Sequence, residues 1–193
     1  TITNSGRDAI AGFLATGGPA ADRMIARDNV DTNSGERNGS AGHALPLRSY
    51  AAIRAGTNAV VSGNEVRQSG YIGIWPAANG TVDRNYVVNA CLVLNDCGSI
   101  YMNLPNAAAR ITNNIVMDPV GNLDGVPLEH FTMAQGIYLD DFSSNVYVTG
   151  NTIARADHGL HLHNGTANVV EGNSLYGNRR TQLWMQEDTN KLR

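Results

Sequence analysis

The sequence predicts an all-β chain: a single-stranded, right-handed parallel β-helix of about seven coils. Two observations carry that prediction. First, one short unit, V-x-x-N-x-I, recurs as Val61…Asn64…Val66, Val82…Asn85…Val87, Ile111…Asn114…Val116, Val148…Asn151…Ile153 and Val170…Asn173…Leu175, with an imperfect copy, Ile25…Asp28…Val30, opening the series. Second, apolar and polar residues alternate within each copy, which is the period of a strand and not of a helix. The anchors at 28, 64, 85, 114, 151 and 173 are 36, 21, 29, 37 and 22 residues apart. The short gaps are the bare repeat, sized for two or three strands and their turns, and the long gaps are the same repeat carrying inserted loops. A leucine-rich repeat has a similar period, but its L-x-x-L-x-L-x-x-N frame is absent.

Taken in order, residues 1–21 read as a partial first coil closed by Thr16-Gly17-Gly18-Pro19. Residues 8–15 and the charged tail are the only stretches that suit a helix. Met24 to Val30 gives the first anchored turn. Asp31 to His43, rich in Asn, Ser and Gly, is expected to be a polar loop. Strand character returns at Tyr50–Arg54, and residues 59–79 make a bare coil whose strand, Ile72-Gly73-Ile74-Trp75, ends at Pro76. The loop Asn95-Asp96-Cys97-Gly98 leads into Ile100-Tyr101-Met102. The longest insertion, 118–134, precedes Ile137-Tyr138-Leu139, and the last coils carry Leu160-His161-Leu162 and Thr181–Met185. Residues 1–193 are expected to form one domain.

Composition narrows the function classes. Charged residues make up 16% and the net charge is −3, so no basic footprint for nucleic acid is present. No apolar run reaches the length of a membrane span. The chain opens in mid-pattern without a signal segment, so it is expected to be a fragment of a longer protein, with either a missing flanking segment or end-to-end self-association. An extracellular or periplasmic location is expected. Cys91 and Cys97 suit either a local disulfide or two buried free thiols.

Equivalent positions of successive coils stack about 4.8 Å apart. Counting back from each anchor places Ile53, Ile74, Met102, Leu139 and Leu162 inside. Two outward columns follow: Ala52, Gly73, Tyr101, Tyr138, His161, Trp184, and Arg54, Trp75, Asn103, Asp140, His163, Gln186. Apolar ring faces with polar edges suit sugars, so Tyr101, Tyr138, Trp75, Trp184, Asn103, Arg54 and His158 are candidate substrate-binding residues. Asp140 and His163 fall on adjacent coils of one column, within hydrogen-bonding or one-water reach. The anchor asparagines are expected to be structural. Asp157-His158, before Gly159, reads as a turn.

The segment G-I-Y-L-D-D at 136–141, with D-C-G-S-I-Y at 96–101, resembles the right-handed β-helix proteins of the pectin-lyase-like superfamily. Within that superfamily it resembles carbohydrate-active members, including some glycoside hydrolases that pair D-G-G-A-I-Y with G-I-Y-L-D-D. Asp96 falls near the first Asp of that pair, spaced one residue differently. A weaker similarity, through Asp140-Asp141 and Asp157-His158-Gly159, links the chain to alginate C5-epimerases, whose D-P-H-D motif it lacks. The resemblance implies a polysaccharide or oligosaccharide partner.

Three functions are expected in descending order. A glycoside hydrolase would use two carboxylates, Asp140 or Asp141 with Glu129 or Asp96, and no cofactor. A uronic-acid lyase or C5-epimerase would take its base from His161, His163 or Tyr138, with Arg54 or a bound Ca²⁺ neutralising the substrate carboxylate. A non-catalytic carbohydrate-binding module is third. Arg54 stands nearly alone as a basic group on the strip, which favours the neutral-sugar hydrolase.

Overall fold

A computed structural model describes residues 1–12, 22–36, 50–124 and 130–187. These residues contain no helix and coil into a right-handed parallel β-helix of three sheets, two of seven strands and one of six. The first sheet runs from Ile2–Thr3 through Val30–Ser34, Glu65–Ser69, Tyr86–Val88, Ile115–Met117 and Thr152–Ala154 to Ser174–Tyr176. The second, which carries the candidate site, comprises Ile10–Ala11, Ala51–Arg54, Ile72–Trp75, Cys97–Met102, Ala134–Leu139, His158–His163 and Thr181–Gln186. The third holds Ile25–Arg27, Val60–Ser62, Thr81–Asp83, Arg110–Thr112, Tyr147–Thr149 and Val169–Glu171. No described helix is long and apolar enough to cross a membrane.

An asparagine ladder joins the third sheet to the first. The Asn64 Oδ1 accepts from the backbone N–H of Asn29 at 3.0 Å and from its Nδ2 at 2.9 Å. The same double bond repeats from Asn64 to Asn85, Asn85 to Asn114, Asn114 to Asn151, and Asn151 to Asn173. Each member follows a residue in the left-handed region: Asp28, Gly63, Arg84, Asn113, Gly150 and Gly172 have φ between 52° and 68°. That pattern corrects the first anchor, because Asp28 holds the left-handed position and Asn29 is the ladder residue. Apolar Ile25 and Val30 mimic the repeat one residue out of phase. The residues in register with Val61 and Val66 are Ala26 and Asp31, while Ile25 is 65% exposed.

Asp31 therefore sits inside the solenoid, and Val30–Ser34 is a strand where a polar loop was expected. Its carboxyl is 1% exposed. Oδ1 accepts from Ser34 Oγ at 2.8 Å, and Oδ2 is buried with no partner. Burial raises its pKa more than the bonds from Ser34 and the Thr32 backbone lower it. The folded chain thus holds a proton at pH values where the unfolded chain has lost it, so this residue's stability contribution falls as pH rises above about 4. Asp31→Asn is expected to raise the melting temperature at pH 7, and the gain should shrink as pH falls towards 4. Parallel melts at the two pH values check this.

On the second sheet the register differs from the back-counted one. Ile74 pairs with Ile100, not Met102. The stack runs Ile53, Ile74, Ile100, Ile137, Leu160, and beside it Met102 pairs with Leu139 and Leu139 with Leu162. The reason is turn length: eleven residues separate Ile74 from Asn85, fourteen separate Ile100 from Asn114. Counting back twelve from Asn114 therefore reaches Met102, two residues past the true partner of Ile74. Ile53, Ile74, Met102 and Leu139 are fully buried and Leu162 packs partly against them.

Local features also differ. Ile10–Ala11 is a strand, so of the stretch 8–15 that suited a helix, residues 8–12 form none, and 13–15 lie outside the described residues. The tail from 188 lies outside them as well. His158 opens a strand and is not part of a turn. Cys91 and Cys97 form a disulfide with Cα atoms 5.9 Å apart.

Candidate active site

The register makes one column of six residues on the second sheet: Arg54, Trp75, Tyr101, Tyr138, His161 and Trp184. Arg54 and Trp75 belong to this column, not to that of Asn103 and Asp140. The rings touch in sequence. Trp75–Tyr101 and Tyr101–Tyr138 meet edge to face at 5.3 Å. Tyr138–His161 stack at 4.4 Å, and His161–Trp184 at 4.1 Å. Arg54 caps the row over Trp75 at 5.1 Å, and its Nε lies 3.5 Å from Asp8.

This stack overturns the picture of an open floor of rings. Tyr101 is 7% exposed, Tyr138 3% and His161 0%. The faces are spent on one another, since a coil spacing of about 4.8 Å is close to ring-stacking distance. Only Trp75 and Trp184, at the ends, are half-buried. Glycine makes room beneath: a Cβ on Gly98 would lie 2.8 Å from the Tyr138 Cβ and 3.3 Å from that of Tyr101.

The polar edges of the row converge on Asp140. Its Oδ2 accepts from the Tyr101 hydroxyl at 2.7 Å. Its Oδ1 accepts from the Tyr138 hydroxyl at 3.0 Å, the Asp141 backbone N–H at 2.8 Å and His163 Nδ1 at 2.8 Å. Burial pushes the Asp140 pKa up, but the bonds from His163, Tyr101, the Asp141 backbone and Tyr138 together hold it below the usual carboxylate range. Among the described residues Oδ2 has a single donor, so it keeps acceptor capacity for a ligand.

A carboxylate acceptor requires the proton on His163 Nδ1. Nε2 receives an N–H from Asn164 at 3.2 Å. Asn164 also donates to Asp141 Oδ1 at 2.9 Å, and Asp141 Oδ1 lies 3.6 Å from His163 Nδ1. Asp140, Asp141 and His163 thus form one unit with donor atoms within 4.8 Å of one another. It fits calcium poorly, because Ca²⁺ takes about six to eight oxygen ligands and here Oδ1 of Asp140 is already occupied by three donors.

Asp96 lies at the other end of the strands, directly before Cys97–Met102. The Tyr71 hydroxyl donates to the Asp96 backbone oxygen at 2.9 Å. Burial first, and then the charges of Asp96 and Asp140, raise the pKa of Tyr71 and of Tyr138. Burial and Asp140 do the same at Tyr101, with a smaller push from Asp96. All three hydroxyls are therefore donors and not bases.

The remaining candidates are dispersed. His161 donates Nε2–H to Gln186 Oε1 at 3.1 Å, and its Nδ1 is buried without a partner. Burial depresses its pKa to about 4, against the raising effect of Gln186. The unfolded chain takes up a proton on this residue near pH 6.5 and the folded chain does not. Stability is therefore expected to fall between pH 6.5 and about 4, and His161→Gln should flatten that part of the profile in denaturant titrations. His158 bonds Thr181 Oγ1 at 2.7 Å, and burial lowers its pKa. Asn103 is exposed, bonded to no site residue among the described residues. Glu129 lies outside the described residues. Asp157 is a buried structural carboxylate, accepting from the Ala134 backbone at 2.8 Å and Arg179 at 2.7 Å.

Sequence reasoning missed Tyr71 and Asn164. Neither falls on a strand column that the repeat exposes; Asn164 directly follows His163, and its left-handed φ of 51° turns it back towards Asp141.

A family model described as a right handed beta helix region matches residues 2–192. No curated protein matches the chain, and no solved structure does.

Proposed function

Because the chain belongs to the right-handed β-helix family, a scaffold that hosts unrelated chemistries, we propose its function from the site: a glycoside hydrolase acting on polysaccharide. One observation carries the reading. Asp140 is a half-buried carboxylate held in its ionised form by four donors, and Asp96, whose backbone oxygen accepts from the Tyr71 hydroxyl, brings a second carboxyl to the other end of the same strands. Two carboxyl groups of opposite role are what glycoside hydrolysis requires. Asp140, committed to the charged state, is the base or nucleophile, which leaves proton donation to the glycosidic oxygen to Asp96. Asp141 and His163 hold Asp140 in place, and Trp75 and Trp184 offer the accessible ring surface at either end.

Elimination or C5 epimerisation of a uronic acid ranks second, favoured by the orientation Asp140 imposes on the His163 ring. It ranks lower because the buried tyrosines are poor bases and the acidic cluster is a poor calcium cradle. The disulfide supports a location in an oxidising compartment, extracellular or periplasmic. The strand Thr181–Gln186 leaves Leu183 43% and Met185 72% exposed at a sheet edge, which supports end-to-end association.

The test is a panel of neutral and uronic polysaccharides incubated with the chain. New reducing ends without ultraviolet absorbance support hydrolysis, and an unsaturated product supports the lyase reading. Binding without any product would leave a carbohydrate-binding module.

A further inference from the structure

We propose that the C-terminal end of the solenoid is a dimer interface, in which the strand Thr181–Gln186 pairs antiparallel with the same strand of a second copy. The inference rests on the end-to-end association above and fixes which ends meet.

The last coil is open at its outer side. Three core columns run into it and stop: Val170 is in register with Val148, Leu175 with Ile153 and Leu183 with Leu160. The inner member of each pair is fully buried, whereas Val170 and Leu175 are half-buried and Leu183 is 43% exposed. Met185 beside them is 72% exposed. Among the described residues no strand lies beyond Thr181–Gln186, so its outer N–H and C=O groups form a sheet edge. Such edges are normally blunted by brevity, proline or charge. This one is six residues long, T-Q-L-W-M-Q, with neither proline nor charge.

Charge and shape both point to a second copy. Arg180, stacked on Phe131 at 3.9 Å, precedes the strand, and Glu187 follows it. Antiparallel self-pairing sets the Arg180 end of one copy beside the Glu187 end of the other, at both ends of the pair, and opposes no like charges between them. A two-fold axis through the middle of the strand also exchanges the flanking sheets. Val169–Glu171 of one copy then meets Ser174–Tyr176 of the other, three residues against three. The opposite end of the solenoid offers no such match to a six-residue strand. Its edge strands, Ile2–Thr3, Ile10–Ala11 and Ile25–Arg27, are two, two and three residues long. An isologous contact of this kind closes at two copies. Trp184 lies next to the axis, with one ring face on His161 at 4.1 Å. Its other face points out of the end, so the ring row continues into the partner copy while the ring edges stay on the strip.

Sedimentation velocity of the full chain, from micromolar to millimolar concentration, tests the pairing. The expected result is a monomer–dimer equilibrium without larger species. Met185→Lys charges an exposed edge position and should leave a folded monomer. Arg180→Glu should weaken the dimer by about tenfold in Kd, and combining it with Glu187→Arg should restore the parent value, because the swap re-forms the opposite-charge pairs. A monomer throughout means that something other than a second copy covers the end, and it overturns the pairing and the end-to-end association together. Species that grow beyond two copies keep end-to-end association and overturn the pairing, since a head-to-tail contact does not close. A dimer indifferent to Met185→Lys and to the charge swap overturns it as well.

Discussion

Asp140→Asn is expected to lower turnover by about 10³-fold, within the range of roughly 10²–10⁴ for a positioned acid or base, with a much smaller change in KM. An amide cannot take a proton at neutral pH. It also offers one acceptor oxygen where the carboxylate now satisfies Tyr101, Tyr138, His163 and the Asp141 backbone. The amide nitrogen must then face either the Tyr101 hydroxyl or the three donors on Oδ1, so a further loss of stability is expected. Two companion variants separate charge from support. His163→Ala removes one donor and leaves the carboxylate, so activity should fall less than in Asp140→Asn. Tyr101→Phe removes the donor on Oδ2, which raises the Asp140 pKa towards its ordinary value. The acid limb of the kcat/KM profile should accordingly move to higher pH. Parent-level activity in folded Asp140→Asn and His163→Ala together would sink the site assignment.

Much of this was legible because a solenoid writes its structure as a repeat. The ladder residues Asn64, Asn85, Asn114, Asn151 and Asn173 are readable since each turn needs an amide that both accepts and donates. The pairing of Asp140 with His163 was readable because each directly follows one of the paired leucines, Leu139 and Leu162. Register errors arose where local apolarity competed with the turn. Ile25 and Val30 look like core and lie outside, while Ala26 and Asp31 hold the interior positions. Trp75 was placed one column away from Tyr101 because turn lengths differ between coils, a quantity without a sequence marker. Burial of the aromatic row was invisible for a different reason. Strand alternation assigns a side chain to a face, and says nothing of whether rings on that face expose or cover one another.

Asn114→Ala, at a fully buried rung of the ladder, is expected to destabilise the fold by about 3 kcal/mol or more. Removing the side chain strips acceptors from the Asn85 backbone N–H and Asn85 Nδ2, both bonded at 2.9 Å. It also removes the donor to the Val82 carbonyl at 3.0 Å. Each buried group left unsatisfied costs roughly 1–3 kcal/mol, and Asn114 is 0% exposed, so water cannot substitute. Asn173→Ala breaks the analogous bonds at the last rung, but that residue is only half-buried. Solvent can reach its partners, and the expected loss is nearer about 1 kcal/mol. The comparison isolates burial from bond count, since both side chains accept from a neighbouring backbone and amide in the same way. Denaturant midpoints of the two variants against the parent measure it. Equal losses at 114 and 173 would mean that the ladder acts through turn geometry alone and that hydrogen-bond satisfaction in the buried coils contributes nothing.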